Sequence, residues 1–251
     1  MSPRAGAIPL GFISGVILLA ACVDIPTGAD DVLSMQVNAL ASPSVVVGDT
    51  LRDSLGVVSR VTITAFNYSG DIVSSAAPRF SILDRGIRVD SITGVVLGDS
   101  VRPAARILAS LTGLTSTATL AVTLRPDSAA LSNGRDSLSY SLTDTAANVS
   151  NAIGVRVLHG TTADSAVASY FVSFRILSPT TTGLAVLVDD NRRASSADTT
   201  DASGIASRRI RLDPTKLVAV VDSVVVQAIV RYRGINVRGS PARLVLKVKP
   251  K

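Results

Sequence analysis

Short apolar runs separated by turn residues recur along the chain from about residue 32 onward. The runs are rich in Val, Ile, Leu and Thr, and several of them stop at pairs such as Gly48-Asp49 and Gly98-Asp99. Residues branched at Cβ fit a pleated surface, and no stretch holds a helical period of apolar positions beyond two turns. The pattern therefore predicts an all-β chain of short strands, at the spacing of a sandwich.

The predicted strands form two groups. The first group lies at residues 45–47, 57–66, 80–83, 87–90, 95–97, 106–111 and 118–124. The second lies at residues 153–158, 170–177, 184–188, 205–212, 223–232, 235–238 and 243–248, and residues 216–221 fit either a strand or a short helix. Turn-forming residues cluster between the groups, at 125–128 and 132–136. We therefore predict two tandem β-sandwiches, over residues 32–126 and 137–251.

The first 21 residues have the order of a secretory signal. Arg4 is their only charged residue, and an apolar run over residues 8–21 follows it. A permanent span of a bilayer needs about 20 apolar residues, and Pro9 and Gly11 interrupt a run that is already shorter than that. The pattern predicts a signal peptide over residues 1–21 that is removed on export.

The end of this segment resembles the bacterial lipobox, which is an aliphatic residue, two small residues and a cysteine. The matching residues are Leu19, Ala20, Ala21 and Cys22, and Cys22 is the only cysteine of the chain. The resemblance implies a diacylglycerol on the Cys22 thiol, cleavage before that residue, and further acylation of its new amino group. An ordinary secretory cleavage beside an unrelated cysteine, or a simple membrane anchor, would be the alternatives.

The residues after Cys22 refine this prediction. Val23 stands where an aspartate resembles an inner-membrane retention signal, so we expect the outer membrane rather than the inner one. Residues 22–31 contain Pro and Gly without a periodic apolar pattern, and we interpret them as a tether. Two or three acyl chains hold a protein stably on a bilayer, at about 0.8 kcal/mol per buried CH₂ group.

Both predicted sandwiches resemble bacterial Ig-like modules of the kind found in invasin- and intimin-type surface proteins. In residues 40–124 the matching pieces are Val45 to Thr50, Val61 to Ala65, Ser91 to Val96 and the hairpin from Ile107 to Val122, with Phe80 where the family carries tryptophan. Residues 137–249 match a related invasin-type module in Thr199 to Ala206, in Asp222 to Ala228 and in the closing Val-Leu-Lys-Val strand. The resemblance implies two Ig-like β-sandwiches that serve adhesion, scaffolding or spacing.

Composition narrows the classes of function. Hydrophobic residues make up 47% of the chain and charged residues 18%, which excludes a generally disordered protein. Aromatic residues are only 4% and tryptophan is absent, which disfavours a lectin platform or a groove for single-stranded nucleic acid. We expect no nucleic-acid partner. A single cysteine permits no internal disulfide, so the fold must rely on its core.

Positive charge accumulates late in the chain, and the formal net charge is +6. The basic residues after position 200 are Arg208, Arg209, Arg211, Lys216, Arg231, Arg233, Arg238, Arg243, Lys247, Lys249 and Lys251. Such a concentration could attract an anionic lipid or polysaccharide. Alternation with apolar residues, as over Arg243 to Lys249, also suits the solvated face of an ordinary strand.

Candidate sites for chemistry are few. His159 is the only histidine; Asp144, Asp164 or Asp189 could orient it beside a serine, but no local motif of a hydrolase accompanies it. The carboxylates Asp189, Asp190, Asp198 and Asp201 form a possible ligand or Ca²⁺ loop, although their spacing is not that of an EF-hand. Aspartates also favour turns. We predict no enzyme activity and no cofactor.

The sequence thus predicts a lipid-anchored cell-envelope protein, held on a membrane through Cys22 and presenting two Ig-like modules to an envelope protein or glycan. Binding would use sheet edges and end loops, with Tyr68 to Asp71 and Asp189 to Asp201 as candidate contact loops. A carbohydrate- or polyanion-binding module built on the late basic strands is the alternative. A hydrolase that depends on His159 is the third hypothesis. The sequence leaves the oligomeric state open.

Overall fold

The computed structural model describes residues 28–133, 135–141, 143, 148–160, 165–216 and 222–250. The predicted signal peptide, its cleavage motif Leu19, Ala20 and Ala21, the lipidation site Cys22 and most of the tether lie outside the described residues. So do residues 217–221, which the sequence left between strand and helix. No α-helix occurs in the described part, and a short 3-10 turn spans Pro214–Lys216.

Eight strands form the first sandwich. They are β1 (Ser34–Val37), β2 (Ser44–Val46), β3 (Ile63–Phe66), β4 (Arg79–Ile82), β5 (Ile87–Val89), β6 (Val96–Gly98), β7 (Arg102–Leu111) and β8 (Leu114–Thr123). One sheet has the order β2-β8-β7-β4, while β1 pairs with β3 and β5 pairs with β6. Isolated backbone bridges join the segment between β2 and β3 to the region of β6. They pair Thr50 with Leu97 and Arg60 with Val95.

In the second sandwich, the described residues form twelve strands. They are β9 (Ser128–Asn133), β10 (Arg135–Tyr140), β11 (Ile153–His159), β12 (Ser165–Ala166), β13 (Phe171–Ser178), β14 (Ala185–Val188), β15 (Ala197–Thr199), β16 (Ile205–Leu212), β17 (Ser223–Ile229), β18 (Arg231–Tyr232), β19 (Ile235–Asn236) and β20 (Ala242–Pro250). One sheet has the order β12-β11-β16-β14, with β9 also on β11. The other has the order β10-β20-β17-β13-β15, and β18 and β19 form a separate hairpin.

The same strand exchange occurs in both halves. The first strand of each half pairs antiparallel, β1 with β3 and β9 with β11, and the following strand crosses to the other sheet. There it runs parallel to the last long strand of its half, β2 beside β8 and β10 beside β20. The division of the strands between two facing sheets is that of an immunoglobulin fold.

Each half has its own hydrophobic core. The largest cluster of buried residues in the described chain lies between Ala129 and Leu246, and the other two clusters lie between Val45 and Val122. Alternation along the strands produces these cores. Leu244 and Leu246 of β20 are fully buried, whereas Arg243 and Lys247 beside them are exposed.

The predicted all-β fold of Ig-like sandwiches is confirmed, with two differences in detail. Only Ile63–Phe66 of the strand predicted over residues 57–66 is a strand, because Val58 and Arg60 make isolated bridges to different neighbours. Strand β9 lies before residue 137, where we expected the second module to begin. The last four residues of β9 are exposed, and the strand ends at the turn-forming residues Ser132 and Asn133, which is why its end resembles a boundary although the strand pairs with β11.

The assignment of the core residues predicts how substitutions change the free energy of unfolding. Leu244→Ala should lower the free energy of unfolding by about 2–5 kcal/mol, because it opens a cavity in a close-packed interior. Leu131→Ala in the same sandwich should cost less than about 1 kcal/mol, since this side chain is 52% exposed. Urea unfolding followed by circular dichroism measures both changes. Equal losses in the two variants would contradict this assignment of the core.

Candidate functional site

A group of charged and aromatic side chains lies where the two sandwiches meet. We call this group the junction. Its members from the first sandwich are Asp49, Arg52 and Gly56, and from the second sandwich Tyr170, Tyr232, Arg233 and Gly234.

Asp49 is the centre of the junction. It follows the turn after β2, where its amide donates to the Val46 carbonyl, and it is only 4% exposed. Its Oδ1 accepts hydrogen bonds from the Thr50 amide at 2.8 Å and from Arg52 at 3.1 Å. Its Oδ2 accepts one from Arg233 Nε at 2.8 Å, across the junction. Two guanidinium groups and a backbone amide therefore neutralise a charge that would be costly to bury alone.

The environment of Asp49 moves its pKa strongly. Burial alone would raise the pKa, but hydrogen bonds from Arg233, Arg52 and the Thr50 amide outweigh it and hold the pKa far below its ordinary value. The same contact raises the pKa of the Arg233 guanidinium. Asp49 is thus a fixed negative charge at neutral pH and holds Arg233 electrostatically.

A tight hairpin turn positions Arg233 next to Asp49. Arg233 and Gly234 form the two-residue loop between β18 and β19, and both have positive φ, 51° and 80°. Positive φ at both central residues defines the type I′ turn that suits the twist of a two-stranded hairpin. The Arg233 guanidinium also lies 5.3 Å from the centre of the Tyr232 ring, in a cation–π contact.

The two backbones touch beside this turn. A Cβ added to Gly56 would lie 2.1 Å from the Gly234 amide nitrogen, and one added to Gly234 would lie 2.5 Å from the Leu55 carbonyl oxygen. Both positions therefore require glycine, and both have positive φ. Thr123 Oγ1 adds a further bond between the halves, donating to the Ala168 carbonyl at 2.5 Å.

Tyr170 supports the second sandwich's side of the junction. Its hydroxyl donates to the Arg231 carbonyl at 2.5 Å. Burial raises the pKa of Tyr170 well above its ordinary value, so the hydroxyl keeps its proton and remains a donor. The cavity between these groups measures about 50 Å³. Pockets for organic ligands usually span about 300–1,000 Å³, so the junction is a packed contact rather than a ligand pocket.

The connection between the sandwiches is also held by polar contacts. His159 Nδ1 lies 2.9 Å from both the Asp127 carboxylate and the Arg125 carbonyl. Asp127 also accepts from Arg125 at 2.7 Å and from the Gly160 amide at 2.8 Å. Burial alone would raise the pKa of Asp127, but the hydrogen bonds from the Gly160 amide and from Arg125 outweigh it, and the pKa is lowered. A carbonyl can only accept, so Nδ1 carries a hydrogen, and His159 fastens the connecting segment.

This contact bears on the hydrolase hypothesis. The acidic partner that the structure gives to His159 is Asp127, which we did not consider. Asp144 and Asp164 lie outside the described residues, and Asp189 accepts the Arg193 amide of its own turn at 2.8 Å. Among the described residues, the His159 ring forms polar contacts with the Asp127 carboxylate and the Arg125 carbonyl, and neither group is a nucleophile.

The four carboxylates of the predicted ligand or Ca²⁺ loop have separate partners. Asp189 forms its own turn, and Asp190 pairs with Arg209 at 3.1 Å. Asp198 pairs with Arg208 at 3.0 Å. Asp201 accepts the amides of Ser203 and Ile205, at 2.8 and 3.0 Å, as aspartates do in turns. The part of the chain that the structure describes holds no group of three metal-ligating side chains.

The other predicted contact loop, Tyr68 to Asp71, is a hairpin turn. Asn67 closes it, because its Oδ1 accepts the Asp71 amide at 2.9 Å and its carbonyl accepts the Gly70 amide at 3.1 Å. Tyr68 is 61% exposed at its tip. The loop is available for contact, and the Asn67 side chain at its base also donates to the Ala29 carbonyl at 3.1 Å.

Two groups can be distinguished among the basic residues of the second sandwich. Some are held by carboxylates, as Arg208 by Asp198, Arg209 by Asp190, Lys216 by Asp213 and Arg233 by Asp49. Others stand on the outer face of the sheet β10-β20-β17-β13. We call this set the basic face, and its members are Arg135, Arg175, Arg243, Lys247 and Lys249. Sequence reasoning named the last three of these only as part of a longer list, and it did not connect Arg135 or Arg175 with them.

Comparison with known proteins adds little. No protein-family description and no curated sequence matches the chain. Similar solved structures include domains 4 and 5 of the S-layer protein SbsC, 12% identical over 87% of this chain and 98% of that one, with a TM-score of 0.32. The chain spans 32% of a longer fragment, domains 4–9, with 10% identity, 88% of this chain covered and a TM-score of 0.30.

A human protein gives a match of the same kind. The EC1-2 fragment of human protocadherin-24 is 12% identical over 87% of this chain and 99% of that one, with a TM-score of 0.26. At such low scores these likenesses carry no argument about function. Separately, the described residues contain no helix long and apolar enough to cross a membrane.

Asp49 predicts a specific pH dependence. At pH 7, Asp49→Asn should lower the free energy of unfolding by about 1–2 kcal/mol, a figure reduced for the solvent around Arg233. The folded pKa is depressed, so the carboxylate's contribution is fully present above the ordinary pKa of 3.8 and is lost as the pH falls toward the folded value. The difference between wild type and variant should therefore shrink below about pH 4.

Urea unfolding at several pH values between 2 and 7 measures this difference. Asp99→Asn is the matched control, since it removes the carboxylate of an exposed ion pair with Arg88. The control should change stability little at any pH. A gap between wild type and Asp49→Asn that stays constant down to pH 2 would contradict the assigned role of the carboxylate.

Proposed function

We propose that this chain is a lipid-anchored protein of the bacterial cell envelope whose two Ig-like sandwiches act as a rigid spacer or scaffold. The observation that carries the spacer role is the junction. An ion pair, two glycines in backbone contact and a hydroxyl–carbonyl bond cross it. Flexible modules are usually joined by polar linkers with few contacts across them, whereas here the contacts are specific and partly buried.

The small size of the junction cavity supports this role. The junction cavity is too small for an organic ligand, and the described residues contain no metal-binding cluster. His159 is engaged by the connecting segment rather than by a nucleophile. We propose a non-enzymatic function on these grounds, with adhesion as a variant of it if the exposed loop at Tyr68 contacts a partner.

The anchoring part of the proposal rests on the sequence. Leu19, Ala20 and Ala21 precede the only cysteine in the order of a lipobox, and a short tether separates Cys22 from β1. A spacer fixed at one end by lipid would hold its second sandwich away from the bilayer. The residue after Cys22 is not aspartate, which favours the outer membrane as its location.

Detergent phase partition tests the anchor. Wild-type protein from bacterial membranes should enter the detergent phase, and its first peptide should begin at Cys22 with the mass of two or three acyl chains. Cys22→Ser should remain in the aqueous phase, because serine offers no thiol for the lipid. Wild-type protein recovered from the aqueous phase without fatty acid on its first residue would refute lipid anchoring.

Distance measurements test the rigid junction. Spin labels on Thr119→Cys and Ser139→Cys, in a Cys22→Ser background, report the separation of the two sandwiches by pulsed electron resonance. The distance distribution should be narrow, and Arg233→Gln should broaden it, because this change removes the ion pair across the junction. Arg231→Gln is the matched control, since its side chain bonds Asn236 in the same hairpin and not Asp49.

The result can go against the spacer role in two ways. A broad distribution in the protein with Arg233 intact would mean that the sandwiches move independently. Identical broadening in both arginine variants would mean that the hairpin, rather than the Asp49–Arg233 contact, determines the geometry.

A further inference from the structure

Five cations share one side of the second sandwich, and they form the basic face. Arg243, Lys247 and Lys249 alternate along β20 with buried residues, so they project to the outer side of the sheet. Arg135 lies on the neighbouring strand β10. It pairs in register with Val245 of β20, two residues before Lys247. On the other side, Arg175 and Arg243 both face Gln227 of β17, and Arg175 Nε donates to its Oε1 at 2.8 Å.

The spacing of these residues follows from strand geometry. Arg243 and Lys249 are six residues apart on one strand, which corresponds to about 20 Å, and four adjacent strands span about 14 Å. An open groove of about 440 Å³ runs over β10 and β20, lined by Arg135, Ser137, Val245, Lys247 and Lys249 together with Asp136. The face is therefore elongated and lies along the strands.

The basic face is distinguished by having five cations on one sheet without a carboxylate partner in the described part of the chain. Among the described residues, none of its five cations has a carboxylate within 4.0 Å, whereas Arg88, Arg102 and Arg106 of the first sandwich are paired. Like charges at these separations repel one another, and the repulsion is only partly screened at physiological salt, where the Debye length is about 8 Å. An anion laid along the face would relieve this repulsion.

We infer that the basic face binds a linear anionic polysaccharide along β10 and β20. The cations supply charge complementarity to carboxylate or sulfate groups repeated along a chain. Ser137, Ser223 and Gln227 stand between them and can hydrogen-bond sugar hydroxyls. This inference is independent of the proposed spacer role, since the junction and the basic face share no residue.

Other polyanions fit the surface less well. A protein that binds a bilayer surface usually buries apolar or aromatic side chains among the head groups, and Val245 is the only apolar side chain that lines the groove. A single-stranded nucleic acid needs aromatic faces for its bases, and no aromatic side chain lines the groove. Charge and hydrogen bonds would therefore carry most of the affinity, which should be strongly salt-dependent.

One acidic residue lies at the edge of the groove. Asp136 is half-buried on β10, and its Oδ1 accepts the Ser137 amide at 2.7 Å. Its negative charge opposes an approaching anion. Asp136→Asn keeps the shape of the side chain and removes the charge, so this change should strengthen binding by up to about fivefold, the upper end for a single surface charge interaction.

Binding of the full-length chain to alginate oligosaccharides, a linear polyuronate, provides the test. Wild type should bind, and its affinity should fall at least about tenfold between 50 and 200 mM salt, because contacts made through several cations release counterions from the polymer. Arg243→Gln, Lys247→Gln and Lys249→Gln together should weaken binding at least about tenfold, since these changes remove three of the charges that attract the polymer. Dextran, which is uncharged, should not bind.

A matched variant separates the face from net charge. Arg60→Gln, Arg79→Gln and Arg85→Gln together remove the same charge from exposed arginines of the first sandwich that have no carboxylate partner among the described residues. This control should bind alginate as wild type does. Equal weakening in the two triple variants would overturn the assignment of the site to β10 and β20.

Two further outcomes would overturn the inference. One is the absence of alginate binding at 50 mM salt. The other is binding to vesicles with anionic lipid, or to single-stranded DNA, that is at least as strong as binding to alginate and equally sensitive to the β20 substitutions. Failure of either kind would leave the distance measurements across the junction unaffected, so the two proposals can be judged separately.

Discussion

The buried carboxylate of Asp49 couples the two sandwiches, because its charge must be neutralised where the halves meet. Arg52 of the same sandwich supplies part of that neutralisation, and Arg233 supplies the rest from the other. The partner arginine can reach it only from a tight hairpin turn, and the hairpin can approach only because Gly56 and Gly234 have no side chains in the way. Electrostatics, turn geometry and backbone contact at this place therefore depend on one another.

Two groups of cations elsewhere in the chain have different surroundings. Cations with a carboxylate partner, such as Arg106 with Asp84 and Arg208 with Asp198, sit where strands or turns need a local tie. Cations of the basic face have none among the described residues, and they all stand on one sheet. A net positive charge by itself says little about a partner. The concentration of positive charge on one continuous surface is what indicates an anionic partner here.

Much of the fold could be predicted because the strands follow from the local pattern of apolar residues and turn residues. The alternation of apolar and basic residues along β20 predicts both its buried leucines and its exposed basic residues, and turns that contain glycine follow many of the strands. Neither β9 nor the junction could be predicted in this way. The exposed half of β9 looks like a linker in sequence, and Asp49 and Arg233 stand 184 residues apart with no motif around either. Contacts of that kind arise from the packing of whole sandwiches.

The parallel pairs β2–β8 and β10–β20 have a mechanical consequence. In each sandwich one partner stands near the start of the half and the other near its end. Tension along the polypeptide pulls such partners in opposite directions along their length, so the bridging amide–carbonyl bonds are sheared together rather than peeled apart singly. A protein built in this way would resist stretching at the envelope far better than one whose strands could unzip.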